Sequence, residues 1–142
     1  MLGIQHGYYN PTDWQTAGKV DLIVETGNEL FGGYAKVAFF TQPEEQPDAL
    51  ENFKEGPLRM FLTICEKMLE SNGLSKYIIG DTMTIADFAM CALLFNCLKN
   101  QMGPFKDVFA PYLMEFPAVG AYSKRMESEM SKYLTKREAY PM

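Results

Sequence analysis

Hydrophobic positions in this chain recur at three- and four-residue steps, and nowhere do they alternate with polar ones over a strand's length. Trp14, Ala17, Val20, Ile23, Val24, Gly27, Leu30, Phe31, Tyr34, Ala35 and Ala38 follow that spacing. It predicts one long helix reaching Phe40. Asn10-Pro11-Thr12-Asp13 supplies its start, with Asn10 as N-cap, Pro11 at the first helical position and Asp13 near the positive end of the helix dipole. Gly18, Gly27, Gly32 and Gly33 interrupt the pattern, each at a cost of roughly 1 kcal/mol against alanine. They leave room for a backbone or ligand to approach closely, or for a kink.

Thr41 to Pro47 reads as a loop, residues 48–55 as a short helix, and Gly56-Pro57 as its break or kink. Leu58, Phe61, Leu62, Cys65, Met68 and Leu69 then define a second main helix ending at Ser71-Asn72-Gly73. Tyr77-Ile78-Ile79 is too short to read as a strand. Thr84 is placed as an N-cap and Asp87 at N3, a capping box with Asp in the usual Glu or Gln position. Met83 and Phe88 sit where a hydrophobic staple would close over it. From Ile85 to about Asn100 the residues are apolar nearly all round, which predicts the central helix of a bundle. Two shorter helices follow, near 105–115 and 118–130, the second with Pro117 at its first turn. A basic, aromatic tail runs from Tyr133 to Met142. The expected fold class is all-α, a single-domain helix bundle.

Composition narrows the chemistry. A net charge of −5, with 13 scattered Lys and Arg, offers no basic stripe for nucleic acid. Cys65, Cys91 and Cys97 are odd in number and lie in apolar runs, and His6 is the single histidine. Buried reduced thiols are expected rather than a disulfide framework or a zinc site. No signal peptide is recognisable, and the longest apolar run, Phe88 to Leu98, is too short to span a bilayer. A cytoplasmic location is expected. No phosphate-binding loop, dinucleotide fingerprint, nucleophile elbow or zinc-helix motif occurs, and His6, with no nucleophile beside it, reads as a surface residue.

Three segments carry a resemblance. Gly80-Asp81-Thr82-Met83-Thr84-Ile85-Ala86-Asp87 resembles the loop and cap that open the central helix of the glutathione S-transferase C-terminal domain. Phe116-Pro117-Ala118-Val119-Gly120-Ala121-Tyr122 resembles a later segment of the same domain. Val20 to Val24 with Asn28-Glu29-Leu30 resembles the first long helix of its sigma, pi and alpha-like classes. The resemblance implies that residues 1–10 are an interdomain linker remnant and 11–142 the helical domain. The thioredoxin-fold domain that holds glutathione and activates its thiol would lie outside this chain. It further implies that Glu29 reaches a partner subunit's glutathione across a dimer interface, and that Tyr34 and Phe39 line the pocket for an apolar electrophile. Thr84, Asp87, Met83 and Phe88 are structural, with no catalytic residue expected. No cofactor is implied, glutathione being a substrate. Such a chain is not catalytically competent by itself. The alternative function is a non-catalytic docking module in a multi-subunit assembly.

Overall fold

The computed structural model describes residues 2–136, and among these every regular element is helical. The order is α1 (Leu2–Gln5), α2 (Trp14–Ala35), α3 (Gln46–Phe53), α4 (Arg59–Ser71), α5 (Ile85–Leu93), α6 (Lys106–Tyr112), α7 (Pro117–Glu129) and α8 (Ser131–Leu134). Wider π turns extend α2 over Lys36–Phe40 and α5 over Leu94–Leu98, a third joins α3 to α4 over Lys54–Leu58, and a 3-10 turn, Leu113–Glu115, follows α6. The Arg137 to Met142 portion of the basic, aromatic tail lies outside the described residues.

The long helix starts later than the Asn-Pro signal suggests. Asn10 Oδ1 accepts from the Thr12 amide and hydroxyl at 3.1 and 2.7 Å, closing a turn of its own. Asp13 is the true N-cap, accepting from the Thr16 amide at 3.2 Å. Two capping residues stand in series, and the second lies next to the apolar stripe whose burial fixes the helix. Downstream, Gly56-Pro57 kinks the chain without ending it, Gly56 taking a non-helical ψ of −105°. The Arg59 guanidinium staples this bend, meeting Glu55 at 2.6 Å and Glu115 at 2.8 Å. At the far end of α4 the Leu74 amide donates to the Leu69 carbonyl at 2.8 Å and Gly73 donates to Glu70 at 3.1 Å. That Schellman closure needs a left-handed residue, and Gly73 supplies it at φ +65°.

α5 and its π turn form the centre of the bundle. Ala86, Met90, Leu93, Leu94, Cys97 and Leu98 are all buried, as are Ile23 of α2, Leu62 and Cys65 of α4, and Val119 and Tyr122 of α7. Gly27 lets α2 lie close to α5: a Cβ there would be 3.8 Å from that of Ala89, ordinary contact with nothing to spare for a longer side chain. Gly33 lies under the Phe53 ring, whereas Gly18 and Gly32 face open space. The four glycines thus serve different ends, two permitting close packing and two lying at the surface.

Candidate functional site

Asp87 is wholly buried, and the loop before α5 is built round it. It belongs to the capping box with Thr84, whose amide donates to Asp87 Oδ2 at 2.8 Å. The Thr84 hydroxyl donates to the same oxygen at 3.2 Å. Oδ1 accepts from the Ile78 amide at 3.0 Å and from the Tyr122 hydroxyl at 2.9 Å. One carboxylate therefore joins the connecting loop, the start of α5 and the middle of α7. Burial, and then the adjacent negative charge of Asp87, push the Tyr122 phenol well above its ordinary range, so it stays a donor. With all its lone-pair directions occupied inside the core, Asp87 has no route to a substrate.

The outer surface near this cap is different. The Ile85 amide, the first of α5, donates to the Tyr8 carbonyl at 3.0 Å, and the Tyr9 hydroxyl donates to Asp21 at 2.9 Å, raising the Tyr9 pKa. The segment 2–9 is held against α5 and α2 by these bonds. It brings the Tyr8 ring edge-on to Phe88, centroids 5.2 Å apart. Phe88, at the staple position, is 39% exposed and forms one wall of an apolar groove with Ala92, Phe95, Tyr133 and Leu134. The groove holds about 440 Å³, a volume typical of small-molecule sites. Met83 packs half-buried against the core.

The three residues carried over for ligand binding are not brought to one place. Tyr34 is buried in the core between Phe105 and Phe109, at centroid distances of 5.8 and 6.1 Å, and burial lifts its pKa to about 12. Phe39 is 55% exposed beside Phe40 at 80%. Glu29 is exposed and makes no ion pair among the described residues. At 1.5 Å per residue Glu29 and Phe39 lie about 15 Å apart along the helix. Glu29, Lys36 and Phe40 follow one solvent-facing stripe that also carries Leu22 and Trp14, the latter 75% exposed.

The thiols are chemically quiet. Cys91 and Cys97 are pushed up to about 12 by desolvation, and Cys65 higher still for the same reason, so none supplies a thiolate near neutrality. Among the described residues no cluster of His, Cys, Asp and Glu is arranged to hold a metal ion, and no helix is long and apolar enough to cross a membrane. His6 is exposed.

Comparison with known proteins bears on this helical frame. The model for the glutathione S-transferase C-terminal domain matches residues 28–137. The chain belongs to the glutathione S-transferase family. The matched region takes in the C-terminal end of α2, the capping box, the central helix and α7. Among solved structures, that of NaGST-2 superposes with a TM-score of 0.69 at 22% identity, covering 98% of this chain. This chain spans 65% of the NaGST-2 chain, and at that identity the likeness is one of fold. Comparison with curated proteins gave no match.

One residue of this frame carries no sequence signal. Glu66, in the middle of α4, accepts from the Ala118 and Val119 amides, both at 2.8 Å, and so caps α7 from a neighbouring helix. Phe116 at the N-cap position cannot do this. Only a motif spanning about fifty positions could have pointed to Glu66.

Proposed function

We propose that this chain is the electrophile-binding helical half of a glutathione S-transferase. The family match over residues 28–137 carries the reading. The apolar groove at Phe88 and the exposed aromatics of α2 support it, since apolar electrophiles are oriented chiefly by shape and stacking. In the complete enzyme the thiol of glutathione loses its proton to solvent or base. Its sulfur then attacks the electrophilic carbon, a carbon–sulfur bond forms, and the leaving group departs with the bonding pair. This half supplies the wall for the electrophile and the exposed carboxylate of Glu29 for a neighbouring subunit's glutathione. Thiol activation falls to a thioredoxin-fold domain in the manner of the family.

The test uses glutathione and a chromogenic aryl halide. The chain alone is expected to give no conjugation. Fusion behind a transferase thioredoxin-fold domain should restore turnover, and Phe88→Ser should raise the KM for the aryl halide while sparing that for glutathione. Turnover by the chain alone, or a well-folded fusion with no activity, overturns the proposal. The second outcome favours the docking module, a reading that rests on the exposed stripe of Trp14, Leu22 and Phe40.

A further inference from the structure

Among the asparagines of the chain, Asn72 alone is followed by glycine. In such a pair the backbone nitrogen most readily attacks the side-chain amide, because glycine has no side chain to obstruct the approach. Here the pair closes α4. Asn72 is its C-cap, half-buried, with φ −87° and ψ 19°. Asn72 Nδ2 donates to the Gly80 carbonyl at 2.7 Å and to that of Tyr77 at 3.3 Å. The Ser75 hydroxyl donates to the same Gly80 oxygen at 3.0 Å. Residues 74–80 contain no helix, so side-chain bonds of this kind fasten them. From α7, Arg125 donates to the Ser75 carbonyl at 2.8 Å, and Glu129 meets Lys76 at 2.6 Å. The loop in turn delivers the Ile78 amide to Asp87.

We propose that Asn72 is a deamidation site, held dormant by the helix cap and releasing this loop once converted. The Gly73 nitrogen gives up its proton to water and attacks Cγ of Asn72. The new carbon–nitrogen bond closes a five-membered imide ring, the Cγ–Nδ2 bond breaks, and the side-chain nitrogen leaves as ammonia. Water then opens the ring, giving aspartate by attack at the side-chain carbonyl or isoaspartate by attack at the main-chain carbonyl. The folded cap opposes ring closure in several ways. The ring needs Cβ and the Gly73 nitrogen eclipsed about the Cα–C bond, whereas ψ 19° nearly eclipses that nitrogen with Asn72's own. The Gly73 N–H is engaged by the Glu70 carbonyl at 3.1 Å, and Nδ2 is tied to the loop. These restraints are lost together when the cap opens. Leu74, a non-glycine residue at φ +54°, makes the closed cap costly to keep. After conversion the lock inverts, because a carboxylate faces the Gly80 and Tyr77 carbonyl oxygens where an amide had donated. The loop then loosens, and with it the Ile78 end of the Asp87 network.

Peptide mapping by mass spectrometry, during incubation of the folded chain at mildly alkaline pH, tests this. Asn72 should convert ahead of every other asparagine, and roughly tenfold or more slowly than in the same chain unfolded in urea. Arg125→Ala removes one fastening of the loop and should speed conversion in the folded chain while leaving the rate in urea unchanged. Ser75→Ala should act in the same direction. Asn72→Asp, standing for the converted residue, should hasten hydrogen exchange at the Ile78 amide roughly tenfold, and more than at the Ile23 amide of α2. Circular dichroism melts confirm that each variant is folded. The proposal fails if Asn72 stays intact or another asparagine converts first, if folding leaves the rate unchanged, or if neither loop variant accelerates conversion. It fails equally if the Ile78 amide of Asn72→Asp exchanges as slowly as in the parent.

Discussion

Asp87 carries more of the fold than a helix cap does. An exposed cap is worth about 0.5–2 kcal/mol. Asp87→Ala would in addition strand the Ile78 amide and the Tyr122 hydroxyl inside the core. A loss of about 3–5 kcal/mol is expected, as for removal of one partner of a buried charged network. Tyr122→Phe removes one donor and leaves the carboxylate with Thr84 and Ile78, so about 1–2 kcal/mol is expected. Thr84→Ala should cost about 1 kcal/mol. Urea unfolding of the three variants checks the order, and an Asp87→Ala protein as stable as Thr84→Ala would refute it. Part of this was legible in the sequence, since Thr84 and Asp87 stand at capping-box spacing. The partnership with Tyr122, thirty-five residues on, was not.

At the scale of elements, helix ends and helix contacts decide the outcome. Glu66 caps α7 through two amides. Glu66→Ala should therefore cost about 1–2 kcal/mol, the range of a lost cap reinforced by the helix dipole. Glu66→Gln, which keeps one acceptor oxygen, should lose less, and equal melting temperatures for both variants and parent would remove Glu66 from this role. On α2 the glycines part company. Gly18→Ala adds a methyl group into open space and should stabilise by about 0.5–1 kcal/mol through helix propensity. Gly27→Leu drives a branched side chain toward Ala89 and should destabilise by about 1–3 kcal/mol. Thermal melts followed by circular dichroism read both. A destabilised Gly18→Ala would mean that its surface is covered.

For the whole molecule the three thiols set the alkaline limit. In the folded chain Cys91 and Cys97 titrate near 12 rather than at the ordinary 9.0, because the core disfavours the thiolate. A pKa raised on folding contributes stability that is intact below the unfolded value and is lost as pH climbs toward the folded one. Stability should therefore be insensitive to these groups below about pH 8. Above about pH 9 it should fall by about 1.4 kcal/mol per pH unit for each thiol. Urea midpoints between pH 7 and 10.5 test the slope, and Cys97→Ala should make it shallower. A midpoint that rises above pH 9 would contradict the burial.

By itself the sequence determined the helical class, the order of the helices from α2 to α7, the central position of Ile85 to Leu98, and the residues of the cap, because these depend on periodicity and on partners within four positions. It placed the start of α2 three residues early, since two capping residues compete and only burial of the adjacent stripe chooses between them. By resemblance it assigned Glu29 to a partner subunit's glutathione and Tyr34 and Phe39 to one pocket. Packing separates them: Tyr34 turns into the core against Phe105 and Phe109, while Glu29 and Phe39 stay outside. The groove behind Phe88 and the Glu66 cap arise where helices distant in the chain converge. Local spacing holds no record of which helices will meet. That was decided by the tertiary structure, as the arrangement that buries these apolar faces together.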